Sequence, residues 1–141
     1  MPDDTRGRVH LVSLPMDDID ENAAMVNALQ RRANVVVQKS IAEGFGLTVA
    51  EAMWKQKPVV AGEVGGIQDQ IVDGESGLLV DDPRDLAAVG TAIDSLLADP
   101  ERAERIGRAA HQRVIDEFLQ IDRLLEYFEH IEALLEAETA R

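Results

Sequence analysis

In the stretch Lys39-Ser40-Ile41-Ala42-Glu43-Gly44-Phe45-Gly46-Leu47-Thr48-Val49-Ala50-Glu51-Ala52-Met53, two glycines break the chain between a β-branched run and a helical pattern. Val35, Val36 and Val37 precede it as a strand, and Leu47, Ala50, Met53 and Trp54 recur at helical spacing after it. A strand–loop–helix unit results. In a parallel sheet such a loop leaves the carboxyl end of its strand, which is where ligands bind. Gly44 and Gly46 let the backbone approach a ligand closely, and the unpaired N–H groups at the helix start, around residues 46–49, favour a phosphate. Glu43 in the loop and Glu51 in the helix are both able to accept hydrogen bonds from sugar hydroxyls. The same residues also fit a plain turn with a solvated pair of glutamates, because short glycine motifs recur widely.

Outward from this unit, short apolar runs alternate with helical patterns, as a parallel α/β sheet requires. Residues 9–14 are a candidate first strand. A polar start at residues 17–22, then Met25, Ala28 and Leu29, with Arg31 and Arg32 near the end, predicts a helix to about Ala33. Residues 58–61 are a third strand, Gly65 and Gly66 break the chain, residues 67–71 make a short helix and residues 77–80 a fourth strand. The two glycines serve equally as the end of a buried strand or as the floor of a ligand pocket.

Beyond residue 80 the pattern is helical. Asp82 and Pro83 form an N-cap and first-turn pair for a helix burying Leu86, Val89, Gly90, Ile93, Leu96 and Leu97. Asp99 and Pro100 repeat that signature for a second helix through Ile106, Ala109, Ala110, Val114 and Phe118. A third places Ile121, Leu124, Leu125, Phe128, Ile131 and Leu135 on one stripe, to pack on the sheet or on a missing partner. Residues 1–6 read as frayed, and the tail from Glu136 as charged.

Composition narrows the function. With 45% hydrophobic residues, the 141-residue chain supports one domain with a real core. No apolar run of about 18 residues spans a bilayer, so membrane insertion is not expected. Cysteine is absent, which excludes disulfides, thiolate zinc sites and cysteine nucleophiles and fits a cytoplasmic chain. A formal charge of −13 repels polyanions, so nucleic acid is not an expected partner. A small anionic ligand held by backbone N–H groups remains compatible.

The blocks EGFGLTVAEAMW (from Glu43), KPVVAGEVGG (from Lys57) and DGESGLLV (from Asp73), with the Glu43 to Glu51 pair, resemble glycosyltransferase family 4 and its two-domain GT-B fold. Within that family the run VNALQRRANVVVQKS and the glutamate block look most like trehalose synthases and trehalose phosphorylases. The resemblance implies a Rossmann-like parallel sheet followed by C-terminal helices. Residues 1–141 would then be a partial nucleotide-sugar-binding C-terminal domain, the N-terminal acceptor domain being absent. The implied activity is retaining transfer of glucose from a nucleoside diphosphate glucose to a sugar acceptor, with no essential metal and no turnover by this segment alone. Glu51 matches the glutamate that holds the donor ribose. Glu43 matches the catalytic-site carboxylate beside the donor sugar, and Gly44, Phe45, Gly46, Leu47 and Thr48 match the loop and helix start around sugar and diphosphate. Lys39 would add positive charge near the phosphates, or be a surface lysine. The family's phosphate-neutralising arginine and lysine have no matching block before residue 9.

The family's usual strand order also leaves the edge near residues 35–38 without two neighbours. That edge is then paired by the first strand, by another chain or by nothing, and a homodimer or strand exchange through it is expected. Other constellations carry less. His10, His111 and His130 lack metal-ligand spacing, and Asp17, Asp18, Asp20 and Glu21 lack the glycine and closing glutamate of a calcium loop. Ser40, Thr48 and Ser76 have no partners in a nucleophile motif. The readings kept beside the transferase are a phosphorylase, with phosphate or glucose 1-phosphate on the same loop, and a noncatalytic α/β interaction module.

Overall fold

Val59, Val60, Ala61 and Gly62 are all buried, and a strand buried on both faces must lie inside a sheet covered on both sides. The computed structural model describes residues 3–139 and shows this arrangement. The chain divides into two units, Met1–Arg32 and Ala33–Arg141. In the second, strands β1 (Val36–Gln38), β2 (Val59–Gly62) and β3 (Leu78–Val80) form a three-stranded sheet in the order β1-β2-β3. Both pairings are parallel, with Val36 opposite Val59 and Val60 opposite Leu78. The helices that follow are α3 (Leu47–Trp54), α4 (Ile67–Gln70), α5 (Leu86–Ala98), α6 (Pro100–Phe118) and α7 (Gln120–Thr139).

The pleat of β2 sends alternate residues to two cores. Val59 and Ala61 pack with Val49, Ala52 and Met53 of α3, with Ile67 and Ile71, and with Ala110 and Val114 of α6. Val60 faces the other way, into a cluster of Leu78, Val80, Val89, Leu96 and Ile106. The buried side of α3 is therefore Val49, Ala52 and Met53; Leu47 and Trp54, expected on it, are exposed. Likewise Val89 and Leu96 carry the buried side of α5, while Leu86 and Leu97 are exposed. The α6 stripe is as expected.

Caps set the helix starts. Asp99 accepts from the Arg102 N–H, with Pro100 in the first turn of α6. The α5 cap is Asp85, which accepts from the Ala87 and Ala88 N–H groups, and not Asp82. Asp82 instead closes a turn, its side chain taking the Arg84 N–H and its carbonyl the Asp85 N–H, and this delays the helix past Pro83.

In the first unit, α1 (Asp3–Arg6) occupies part of the segment expected to be frayed, and α2 (Ile19–Arg32) matches its prediction. Residues 1–2 lie outside the described residues. Asp18 takes the Asp20 and Glu21 N–H groups, so the acidic run serves to start a helix. Residues 9–14, predicted as a strand, form none, and Leu11 is almost wholly exposed. An apolar run becomes a strand only when a ladder partner reaches it, and this one has none among the described residues.

Of the two expectations for the α7 stripe, packing on the sheet is not met. The chain breaks helix at Leu119 (φ −74, ψ 136), and Leu124, Leu125, Phe128, Ile131 and Leu135 are exposed, so the stripe is not packed on the sheet. Ile121 lies among side chains outside the described set. The α7 backbone stays helical through Thr139, into the predicted charged tail.

Candidate functional site

Because all pairings are parallel, β1 and β2 end on the same side of the sheet, and the loops after Gln38 and after Gly62 meet there. Strand β1 ends one residue before Lys39. The Gly66 N–H donates to the Gly44 carbonyl at 2.9 Å, tying the two loops together. Gly65 shows how close they lie: it sits at φ +51, and a Cβ there would fall 1.8 Å from the Glu43 carbonyl oxygen. Gly65 and Gly66 thus lie directly under residues 43–45, where a side chain would not fit.

The loop rises from this floor into α3. Gly46, at φ 87 in the left-handed region, is the N-cap, and no side chain caps the helix. Val49 and Ala50 both donate back to the Gly46 carbonyl, at 2.9 and 3.3 Å. The Leu47 and Thr48 N–H groups have no partner among the described residues, and both residues are exposed. An uncapped, solvent-open helix start is a seat for an anion.

Glu43 is held by its own loop. The Ser40 hydroxyl donates to its Oε2 at 3.3 Å, the Gly44 N–H to its Oε1 at 3.2 Å, and Gln38 Nε2 donates to Ser40 Oγ at 2.9 Å. Each carboxylate oxygen keeps a lone pair for a further donor. Glu51, in the middle of α3, is half exposed and stands 4.0 Å from the Nζ of Lys55, whose side chain is largely buried. Lys39 is exposed beside the loop and makes no ion pair among the described residues. Phe45 does more than supply backbone: its ring meets Phe118 of α6 edge to face at 6.1 Å.

The structure thus gathers Glu43, Gly44, Phe45, Gly46, Leu47 and Thr48 in one loop and helix start, with Lys39 before it and Glu51 after. Sequence reasoning passed over Gln70, which is fully buried with its Nε2 donating to the Phe45 carbonyl. A glutamine between Ile67 and Ile71, on the apolar side of a short helix, was the available signal. It also missed the part played by Ser40. A separate cleft of about 240 Å³, lined by Val72, Ser76, Ala109, Arg113 and Glu117 among others, contains none of the predicted residues.

A parallel sheet covered on both faces, with a glycine-floored loop feeding an open helix start, defines a Rossmann-like α/β domain. Residues 20–113 match the family described as Glycosyl transferases group 1, and the chain belongs to that family. It is 46% identical over 116 residues to a trehalose synthase of Pyrococcus horikoshii, covering 82% of this chain and 27% of that one. The chain therefore spans about a quarter of the length of the curated relatives it matches. Among solved structures it resembles a sucrose-phosphate synthase from Thermosynechococcus elongatus, with a TM-score of 0.73 and 36% identity over 85% of this chain and 29% of that chain. It also resembles HepE from Anabaena in complex with UDP, with a TM-score of 0.66 and 25% identity over 74% of this chain and 29% of that one. The fold is that of GT-B glycosyltransferases, as the sequence blocks implied. Among the described residues no helix is long and apolar enough to cross a membrane.

Proposed function

We propose that the chain is the donor-binding segment of a retaining glycosyltransferase of the trehalose synthase type, which moves glucose from a nucleoside diphosphate glucose to a sugar acceptor. The observation that carries this reading is the open start of α3: a left-handed glycine cap, no capping side chain, and exposed Leu47 and Thr48. The diphosphate sits against these groups, with Lys39 adding positive charge. Glu51, within the same helix, accepts from the ribose diol. Glu43, fixed by Ser40 and the Gly44 N–H, lies beside the glucose at the reacting centre. Similarity to trehalose synthases supports the sugar, and the UDP held by the Anabaena relative supports the donor class. The reading needs no metal and no cofactor apart from the sugar nucleotide. The acceptor is bound by a second domain, so this segment binds donor without turnover. Its cysteine-free composition fits a cytoplasmic enzyme.

Titration calorimetry with UDP-glucose and ADP-glucose tests this. At least one binds, and Glu51→Ala weakens it about 10- to 100-fold, the worth of a hydrogen bond to a charged group. The Glu51 carboxylate is half exposed and its contact with Lys55 is long, so the melting temperature falls by at most a few degrees. Binding of glucose 1-phosphate without either nucleotide would move the assignment to a phosphorylase. No nucleotide or sugar-phosphate binding, with a stable protein complex instead, would make it a noncatalytic module.

A further inference from the structure

Gln70 is fully buried, yet only half of its amide is satisfied. Its Nε2 donates to the Phe45 carbonyl, while its Oε1 has no hydrogen-bond partner among the described residues. A methionine or leucine would fill the same volume without burying an unpaired amide oxygen, at the loss of the donor to the Phe45 carbonyl. What the amide adds is the bond to Phe45. The Phe45–Gly46 peptide is planar and trans, so with its carbonyl turned onto buried Gln70 its N–H points the opposite way. That N–H belongs to Gly46, the residue before the Leu47 and Thr48 donors at the start of α3.

We infer that Gln70 is a positioning residue for the donor loop, turning the Phe45–Gly46 peptide so that the Gly46 N–H joins those of Leu47 and Thr48 in one anion seat. The inference rests on the donor-binding reading above. Gln70 is itself fixed from α6. Arg113 Nε donates to the Gln70 carbonyl and Nη2 to the Asp69 carbonyl, both at 2.8 Å, which satisfies the open end of α4. The Arg113 guanidinium lies 5.8 Å from the Phe118 ring, and Phe118 in turn meets Phe45. Phe45 is therefore held at its carbonyl by Gln70 and at its ring by Phe118, with Arg113 joining the two. The peptide is aimed before any ligand arrives, and the unsatisfied Oε1 is the cost of using an amide to aim it.

The test is Gln70→Met in the full chain, read by ¹⁵N NMR of the Gly46 amide, thermal unfolding, and calorimetry with UDP-glucose and ADP-glucose. The expected result is a moved Gly46 resonance, a melting temperature within a few degrees of the parent's, and donor affinity at least tenfold lower. Gln70→Leu is the second variant should methionine disturb the packing. Parental affinity in a folded variant overturns the inference, as does an affinity loss that merely tracks a fall in melting temperature. If the parent binds neither nucleotide, the donor reading fails separately. A moved Gly46 resonance then still supports the positioning role, and an unmoved one overturns it.

Discussion

Replacing Gly65 by alanine places a methyl group where the Glu43 carbonyl oxygen stands 1.8 Å away, at a φ of +51 that disfavours any side chain. The left-handed conformation alone costs an alanine about 1–2 kcal/mol, and the clash forces the two loops apart. A loss of at least about 2 kcal/mol is expected, seen as a fall of several degrees in thermal unfolding. Donor affinity should fall with it, since the floor carries Glu43. At this scale the sequence was informative where chemistry is local. Glycines flanking a helix start announce close backbone approach, and the loop from Glu43 to Gly46 leading into a helix at Leu47 was readable from the chain. Gln70 and Ser40 were not, because their importance lies in partners that folding brings to them: Phe45 lies far from Gln70 along the chain.

Among the elements, caps and buried faces show how far pattern reaches. Asp99→Ala should cost about 1 kcal/mol, since the Arg102 N–H loses its acceptor at an exposed helix start; urea unfolding would measure it. Pattern alone read α6 correctly from its Asp-Pro start and its apolar stripe. The same signature at Asp82 misled, because Asp85 offered a second acceptor three residues on and the chain used Asp82 for a turn. The central strands were legible from β-branched runs bounded by glycine and proline. Residues 9–14 resembled them in composition, but a strand is defined by its neighbour, and composition does not say whether a neighbour exists. The faces of α3 were misjudged for a related reason. Leu47 and Trp54 are apolar, yet the sheet meets the side carrying Val49, Ala52 and Met53.

For the whole molecule, β1 has β2 as its strand partner and no other among the described residues. The proposed homodimer through this edge follows from its unpaired ladder groups and the exposed Val37 side chain. Light scattering at high concentration should report a dimer, and Val37→Lys should shift it to monomer; a parent that stays monomeric removes the proposal. The two-sided parallel sheet has a kinetic consequence as well. No tight turn can close either of its pairings, so each strand must wait for a crossover segment to collapse before it finds its neighbour. During that wait the valine-rich runs stand bare, and two chains that meet then will stick. Refolding yield should therefore climb on dilution, a behaviour written into the direction in which the strands run.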